Sequence, residues 1–425
     1  MFIQVLLARL LATTDYGQVA ALLATINFLT PIGSAGVNYF LLQVFGREHA
    51  AAKRWFRSSA ILVALTSSLC ALALAIYVFS GKQFGDTRPL ILLYSISILL
   101  GQIMVELTSA RFQLEDRYSA LAIWQTATQV GRFATLMVAA ALSINSISFV
   151  LGGYAGIAVL VTALGLLFWR KLLQNELRLS YLAPATQYAK EPQPRPSVIQ
   201  TLKEAGPFDL VTVFYIVNAQ GALVILNWMA GASAAALFNV AYLIVGTICI
   251  VPQVIYVKFL ISKLCRWAEH DRSTFAAAFH VGLPAMLLLG LLFWGGIVVS
   301  AKWTIMLLFG SRYVGAEPAL VILALVIPVR FAQVAYGSLF INRRETTQKV
   351  TYMGLSATIT FILNVLLVPA LGVVGTAIAN VIGETAMLGF YVYGTEQNIL
   401  GVDVMATFRP STFRASLIRL GHLRT

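Results

Sequence analysis

Residues 347–395 read TQKVTYMGLSATITFILNVLLVPALGVVGTAIANVIGETAMLGFYVYGT, which is two apolar stretches around a short PALG turn. A helix needs about 20 apolar residues to cross a bilayer. The stretch therefore predicts two membrane-spanning helices, 347–368 and 373–395. Basic residues gather just before the first of them, at Arg343 and Arg344, whereas the turn carries no charge.

The same kind of stretch recurs along the whole chain. Ten further apolar segments precede this pair, and their lengths suit membrane helices. The sequence therefore predicts an all-α membrane protein with about twelve transmembrane helices. The ten earlier spans are 1–12, 17–42, 58–80, 89–110, 118–142, 147–169, 206–229, 234–258, 275–300 and 315–341.

The positive charge of the loops between the apolar stretches alternates, with one loop rich in Lys and Arg and the next poor in them. Lys and Arg gather in the loops after every second stretch, for example at Arg54, Arg117 and Arg170. The alternate loops hold only Lys82, Arg88, Lys302 and Arg312. Cytoplasmic loops of membrane proteins hold the excess Lys and Arg. The charge-rich side, with the C-terminus, is therefore predicted to be cytoplasmic.

The composition excludes a soluble globular protein. Hydrophobic residues make up 59% and charged residues 11% of the chain, whereas soluble domains are about a quarter charged. The net charge of +13 is explained by the sorted loops, so no nucleic-acid partner is expected. The three cysteines and four histidines form no CxxC or HExxH pattern, so neither a metal nor a cofactor is predicted.

The two halves of the sequence are related. Pro31 corresponds to Pro252, and the Phe-Gly loop before Pro89 corresponds to the Phe-Gly loop before Pro318. Six helices return the chain to the same side, so the repeats are parallel. The predicted divisions are an N-terminal six-helix bundle (1–169), a Pro-containing cytoplasmic linker (170–205), a C-terminal six-helix bundle (206–395) and a basic cytoplasmic tail (396–425).

The first span has about half the length of its counterpart in the second half. Its 12 residues reach only about 18 Å of a hydrocarbon core that is roughly 30 Å thick. We therefore expect the first helix to be N-terminally truncated, with further residues upstream of Met1.

Several motifs together resemble polysaccharide-lipid flippases of the multidrug/oligosaccharidyl-lipid/polysaccharide (MOP) exporter superfamily. They occur in order along nearly the whole chain. The motifs are Ala8-Arg9-Leu10-Leu11, Asp15-Tyr16-Gly17, Gly33 to Gly36, Gly206-Pro207-Phe208, Gly231-Ala232-Ser233-Ala234-Ala235, Leu307-Leu308-Phe309-Gly310-Ser311-Arg312-Tyr313, Glu317-Pro318-Ala319-Leu320 and Leu367-Val368-Pro369-Ala370-Leu371-Gly372.

The resemblance implies two bundles that open alternately around a central cavity in a bacterial inner membrane. It implies a flippase that moves a polyprenyl-diphosphate-linked oligosaccharide to the outer leaflet for cell-surface polysaccharide biosynthesis. The lipid-linked sugar and membrane lipid are then the expected partners, together with polysaccharide polymerase and chain-length machinery. One departure is that residues 218–227, late in the seventh helix, carry no charge.

Charged residues inside apolar stretches are the candidate site residues, because such charges face a bundle interior or an aqueous cavity. Arg132 and Arg330 lie about halfway along their helices and are predicted headgroup contacts, since Arg binds phosphate oxygens bidentately. Arg9, near an outer helix end, is a weaker third candidate. Three carboxylates are candidates for coupling or ion pairing: Glu384, Asp209 and Glu106.

Each candidate also has a purely structural interpretation. Arg330 and Glu384 are potential partners in an ion pair, and Glu106 and Asp209 resemble interfacial caps. The main functional alternative is a cation-coupled multidrug antiporter of the same fold. Short outer loops, such as 143–146 and 230–233, leave no room for a catalytic domain, so an enzyme is not expected.

Overall fold

The computed structural model describes residues 1–80, 82–173, 196–256, 271–340 and 343–397, and a few isolated positions (267, 407, 409, 411–412 and 414–416). Every regular element in these ranges is a helix, so the predicted all-α fold is confirmed. Eight helical segments of the described chain are long and apolar enough to cross a membrane. The number twelve stays a prediction, because one of these segments, Gln348–Thr395, contains two predicted spans, and the predicted spans 1–12, 118–142 and 206–229 are not among the eight.

Residues 2–224 form one compact unit. Its helices are α1 (Phe2–Leu10), α2 (Thr13–Ser34), α3 (Val37–Glu48), α4 (Phe56–Ser80), α5 (Arg88–Leu114), α6 (Tyr118–Ala141), α7 (Ile147–Leu173) and the first part of α8 (Val198–Ala230), with 3₁₀ segments at His49–Trp55 and Lys82–Thr87. Helices α4 to α7 begin and end within about four residues of the predicted spans, whereas the predicted 17–42 span is two helices.

Residues 225–425, with Met1, form the second unit. Its helices after the end of α8 are α9 (Ala232–Ile248), α10 (Ile250–Gln253), α11 (Arg272–Leu308), α12 (Glu317–Ala324), α13 (Val326–Gly337) and α14 (Arg343–Thr395), with a 3₁₀ segment at Ser311–Ala316. The boundary between the units falls inside α8. Most of the predicted linker (174–195) and most of the predicted tail lie outside the described residues.

Apolar side chains on the outside of the helices form stripes. On α4, Leu65, Leu69, Leu72 and Ile76 recur at helical spacing and are each about 60% exposed, whereas Leu74 is fully buried. Water does not tolerate a continuous exposed apolar stripe of this kind, but lipid solvates it. This pattern fits the multi-pass membrane protein that the apolar helices indicate.

Two long apolar segments contain a break in the helix. The 17–42 span is two helices, because Ala35 and Gly36 both have positive φ (49° and 65°) and end α2. The 53-residue α14 is broken at Gly372 (φ 52°, ψ −124°), within the predicted PALG turn. Gly lacks a Cβ and adopts such a conformation without the steric cost that other residues incur.

Side chains cap the N-termini of α8 and α11. At the start of α8, Ser197 Oγ accepts from Gln200 N (3.2 Å) and Gln200 Oε1 accepts from Ser197 N (2.9 Å). At the start of α11, Asp271 Oδ1 accepts from Thr274 N (3.0 Å). Each arrangement satisfies backbone donors that the first helical turn leaves free.

Candidate functional site

Arg132 lies deep in the N-terminal unit, on α6. It is about 21 Å along the helix axis from Tyr118, where α6 begins. Its guanidinium carbon lies over the ring of Tyr154 on α7, 5.4 Å from the ring centre. The side chain is partly buried. This distance and position are those of a cation–π contact, which holds the guanidinium against α7.

Two glycines bring α6 and α7 close enough for this contact. A Cβ at Gly131 would lie 2.9 Å from Ile157 Cδ1, and a Cβ at Gly153 would overlap the side chain of Thr135. Small residues at such positions let membrane helices approach closely. The glycines therefore set the spacing at which Arg132 reaches Tyr154.

Tyr154 supplies an unused hydrogen-bonding group beside the arginine. Its side chain is 2% exposed, and its hydroxyl has no hydrogen-bond partner among the described residues. Buried polar atoms are normally hydrogen-bonded, so each exception needs an explanation. A ligand that accepts hydrogen bonds beside Arg132 would satisfy it.

Arg330 of the C-terminal unit is in a different electrostatic situation. Its Nη2 lies 2.6 Å and its Nε 3.1 Å from Oε1 of Glu384, which joins α13 to α14. Gln333 Nε2 donates to the other carboxylate oxygen (2.9 Å) and to the Glu384 carbonyl oxygen (2.7 Å). The Arg330 guanidinium carbon also lies 6.0 Å from the ring centre of Tyr242. The positive charge of Arg330 is therefore neutralised within its own unit.

The two membrane arginines thus differ in their partners. Within the described ranges, no carboxylate lies within 4.0 Å of Arg132. A buried charge without an opposite charge is costly, so it persists where a ligand or water compensates it. Arg132 therefore carries the uncompensated positive charge of this pair.

The remaining predicted residues lie elsewhere. Arg9 is exposed in the last turn of α1. Glu106 lies on α5, where its side chain is partly buried. Asp209 is part of α8, but its side chain lies outside the described residues. Among the predicted site residues with described side chains, the hydrogen-bonded pair is Arg330 and Glu384.

Metal ligands are not grouped in the described part of the chain. No three His, Cys, Asp or Glu side chains there are close enough to hold a metal ion. The site groups described above are guanidinium, hydroxyl, amide and carboxyl groups, which bind ligands by charge and hydrogen bonding.

A family model for polysaccharide biosynthesis proteins matches residues 1–259. The chain belongs to this family. The match covers more than half of the sequence and contains Arg132, Tyr154 and Glu106. A comparison with curated proteins finds no match.

The fold of this chain is similar to that of several solved transporters. One is a structure described as lipid II flippase MurJ in an inward closed conformation (TM-score 0.66, 12% identity, covering 100% of this chain and 89% of that one). Another is an inward-facing multidrug resistance MATE family transporter of the MOP superfamily (TM-score 0.64, 13% identity, 93% and 92% covered). The predicted resemblance to the MOP superfamily is confirmed.

Two residues that contact the predicted site residues, Tyr154 and Gln333, could not be identified from the sequence. Tyr154 follows Gly152 and Gly153, and those glycines indicate helix packing without showing which ring faces Arg132. Gln333 lies one helical turn after Arg330, and this spacing was the available sign that both side chains share a face.

Proposed function

We propose that this chain is a flippase that translocates a polyprenyl-diphosphate-linked oligosaccharide from the cytoplasmic to the outer leaflet of a bacterial inner membrane. The observation that carries the proposal is Arg132, a membrane-embedded arginine that lies beside the unpartnered hydroxyl of Tyr154. Membership of the polysaccharide biosynthesis family and the fold shared with a lipid II flippase support the substrate class.

The chemistry of the substrate headgroup matches these two side chains. A diphosphate brings concentrated negative charge into a medium of low dielectric constant, where it needs a fixed opposite charge. The guanidinium of Arg132 stays protonated and offers paired N–H donors to phosphate oxygens. The Tyr154 hydroxyl donates a further hydrogen bond to the same group. The headgroup is therefore held by charge and geometry, with no chemical change.

Arg330 has a different role in this proposal. Because Glu384 and Gln333 already use its charge and donors, we infer that the pair fixes α13 against α14. A headgroup would have to compete with Glu384 for the guanidinium. The predicted contacts of Arg330 and Arg9 with substrate, and the predicted coupling role of Glu384 and Asp209, remain hypotheses.

Transport in a purified system tests the proposal directly. The full chain is reconstituted in vesicles that contain a fluorescent polyprenyl-diphosphate oligosaccharide, and a membrane-impermeant quencher reports its leaflet. We expect faster exchange between leaflets than in protein-free vesicles, and no acceleration for the same sugar on a neutral polyprenol. Equal rates with and without protein would contradict the flippase assignment.

The antiporter alternative is tested in the same vesicles. A cation-coupled multidrug antiporter would drive the efflux of a cationic dye under an imposed sodium or proton gradient. The proposed flippase leaves the dye distribution unchanged, because Arg132 repels a cation at the site. Gradient-driven dye efflux without lipid transfer would favour the antiporter.

The cellular context follows from the substrate. A flippase of this kind hands its lipid-linked sugar to the machinery that polymerises it and sets chain length on the outer face. Physical association with that machinery remains a hypothesis, which co-purification of the two in mild detergent tests.

A further inference from the structure

The exposed side chains of α6 fall into two groups that point in different directions. At about 100° per residue, Gln125, Gln129 and Arg132 follow one another at i, i+4 and i+7 and share one face of the helix. Gln125 and Gln129 are exposed, and Arg132 is partly buried. Ile123 and Val130, which are 71% and 58% exposed, lie about 130–150° around the helix from the centre of that face. One exposed face of α6 is therefore polar and the other is apolar.

Helix α6 crosses the membrane in spite of its polar face. The helices before and after it, α5 and α7, are both long and apolar enough to span. Their last turns carry Arg111 and Arg170, and the alternating charge of the loops predicts that both ends are cytoplasmic. The chain must return to the outer side between these ends, and α6 (Tyr118–Ala141) is the helix that connects them. Its polar residues account for its absence from the eight apolar segments.

Lipid does not solvate the polar face of α6. A side-chain amide has a carbonyl acceptor and two N–H donors, and the transfer of such groups to an apolar medium without hydrogen bonds is costly. Gln125 Nε2 donates to Ser109 Oγ of α5 (3.3 Å), and the amide of Gln129 has no hydrogen bond to another described residue. Most donors and acceptors of the two amides are therefore directed to water or to a bound ligand.

The neighbouring face of α5 is polar as well. Four of its residues recur at i, i+4, i+7 and i+11, which is the spacing of one helix face: Gln102, Glu106, Ser109 and Gln113. The bond between Gln125 and Ser109 joins this face to the polar face of α6. The N-terminal unit thus has one polar surface that is built on two helices and runs from the turn between them to Arg132.

We propose that the polar face of α6 binds the oligosaccharide of the lipid-linked substrate, with Gln129 and Gln125 as hydrogen-bonding partners of successive sugars. The inference rests on the proposed function, in which Arg132 holds the diphosphate. Gln129 lies about 4.5 Å and Gln125 about 10.5 Å along the helix axis from Arg132, towards the N-terminus of α6. The first sugar is bonded directly to the diphosphate, so an amide beside Arg132 reaches this sugar while the arginine holds the phosphates.

Neutral amides suit a sugar better than the other possible occupants of this face. Sugar hydroxyl groups both donate and accept hydrogen bonds, as amides do, and neither group carries a charge. A cationic drug would be repelled by Arg132 at one end of the face, and a lipid chain would leave both amides unsatisfied. The polar face therefore matches a ligand that is neutral along most of its length and anionic at one end.

Thiol labelling in lipid nanodiscs tests whether the polar face is open to water. Gln125→Cys and Gln129→Cys report on this face, and Ile123→Cys and Val130→Cys on the apolar face of the same helix are the controls. A hydrophilic maleimide is added to the full chain, and mass spectrometry measures modification at each position. We expect both polar-face positions to react at least tenfold faster than both controls. Equal rates at the four positions, as lipid or another helix over the polar face would give, would overturn the proposal.

Protection of the thiol by a sugar tests the ligand. The probes are trisaccharides of glucose, galactose and N-acetylglucosamine that each carry a terminal diphosphate, with inorganic diphosphate as the control. We expect at least one trisaccharide to slow modification of Gln125→Cys at least fivefold. Inorganic diphosphate should leave the rate unchanged, because it is too short to reach residue 125 from Arg132. Protection by none of the trisaccharides, or equal protection by inorganic diphosphate, would overturn the proposal.

A second substitution in the Gln125→Cys background tests the amide of Gln129. Gln129→Leu should raise the trisaccharide concentration for half-maximal protection at least fivefold, because it removes the hydrogen bonds and keeps a side chain of similar size. Thr126→Val, at an exposed position about 100° around α6 from Gln125, should leave that concentration unchanged. Equal effects of the two substitutions would overturn the role of Gln129. The labelling needs no lipid transfer, so failure of this inference is distinguishable from failure of the flippase assignment.

Discussion

Arg330 Nη2 and Glu384 Oε1 lie 2.6 Å apart, although the two residues are 54 positions apart in the sequence. Arg132, by contrast, contacts the aromatic ring of Tyr154 and has no such carboxylate partner among the described residues. The Arg330–Glu384 pair joins α13 to α14 with a carboxylate that is 4% exposed. Arg330 is therefore part of the framework of its unit, whereas Arg132 retains a positive charge that a ligand can neutralise.

Removal of the Glu384 carboxylate should destabilise the protein. Glu384→Gln leaves the partly buried Arg330 without an opposite charge, which costs about 3 kcal/mol of unfolding free energy. Thermal unfolding in detergent measures this, with Glu204→Gln as the exposed control. The double variant Arg330→Met with Glu384→Gln should recover much of the loss. Wild-type stability of Glu384→Gln together with a lost response to an ion gradient would instead favour the coupling role for Glu384.

The contact between α6 and α7 should be sensitive to a single methyl group. Gly153→Ala places a Cβ into the side chain of Thr135, so it should lower stability by about 1–3 kcal/mol and move Tyr154 away from Arg132. Gly156→Ala on the same helix meets nothing within 4 Å, so it should raise stability by about 0.5–1 kcal/mol and leave lipid transfer unchanged. Equal behaviour of the two variants would argue against close helix packing as the basis of the Arg132 contact.

The break in α14 depends on backbone conformation at one residue. Gly372 has φ 52° and ψ −124°, and a Cβ there would meet nothing within 4 Å. Gly372→Ala should therefore destabilise through backbone strain alone, by about 1–3 kcal/mol. Gly389→Ala, also without a steric contact but inside the regular helix, should stabilise by about 0.5–1 kcal/mol. Thermal unfolding of both variants measures the two changes in stability, which we expect to have opposite signs.

Chemical labelling of introduced cysteines tests how the chain is oriented in the membrane. Asp86→Cys, before α5, and Glu204→Cys, on α8, both replace exposed acids. Because the sorted positive charge predicts that residue 204 faces the cytoplasm, an impermeant thiol reagent added to intact cells stripped of any outer membrane should modify Asp86→Cys alone. Modification of Glu204→Cys alone would reverse the predicted topology.

The sequence predicted the helices well because apolarity and length determine what spans a bilayer. The ends of α4 and α7 lie within a few residues of the predicted 58–80 and 147–169. The interruption after Ser34 was not predicted, since hydropathy measures apolarity and not backbone conformation. The φ of 65° at Gly36, which breaks the helix, is a property of the folded chain.

The candidate site was predictable in part. A charge in an apolar stretch is visible in any hydropathy profile, which is why Arg132, Arg330 and Glu106 were identified. Their partners were harder to predict, because Arg330 and Glu384 are 54 positions apart in the sequence and become hydrogen-bonded only in the folded chain. Which arginine is neutralised depends on helix packing, and a single sequence does not reveal that.

The central claim is that Arg132, with Tyr154, holds the diphosphate headgroup. The most direct measurement is the leaflet-exchange rate of a labelled polyprenyl-diphosphate oligosaccharide in vesicles with matched amounts of folded protein. We predict that Arg132→Ala lowers the rate at least tenfold, that Arg132→Lys and Tyr154→Phe give intermediate rates, and that Arg170→Ala, an exposed arginine at the end of α7, matches the wild type. Equal rates for Arg132→Ala and Arg170→Ala would contradict the account.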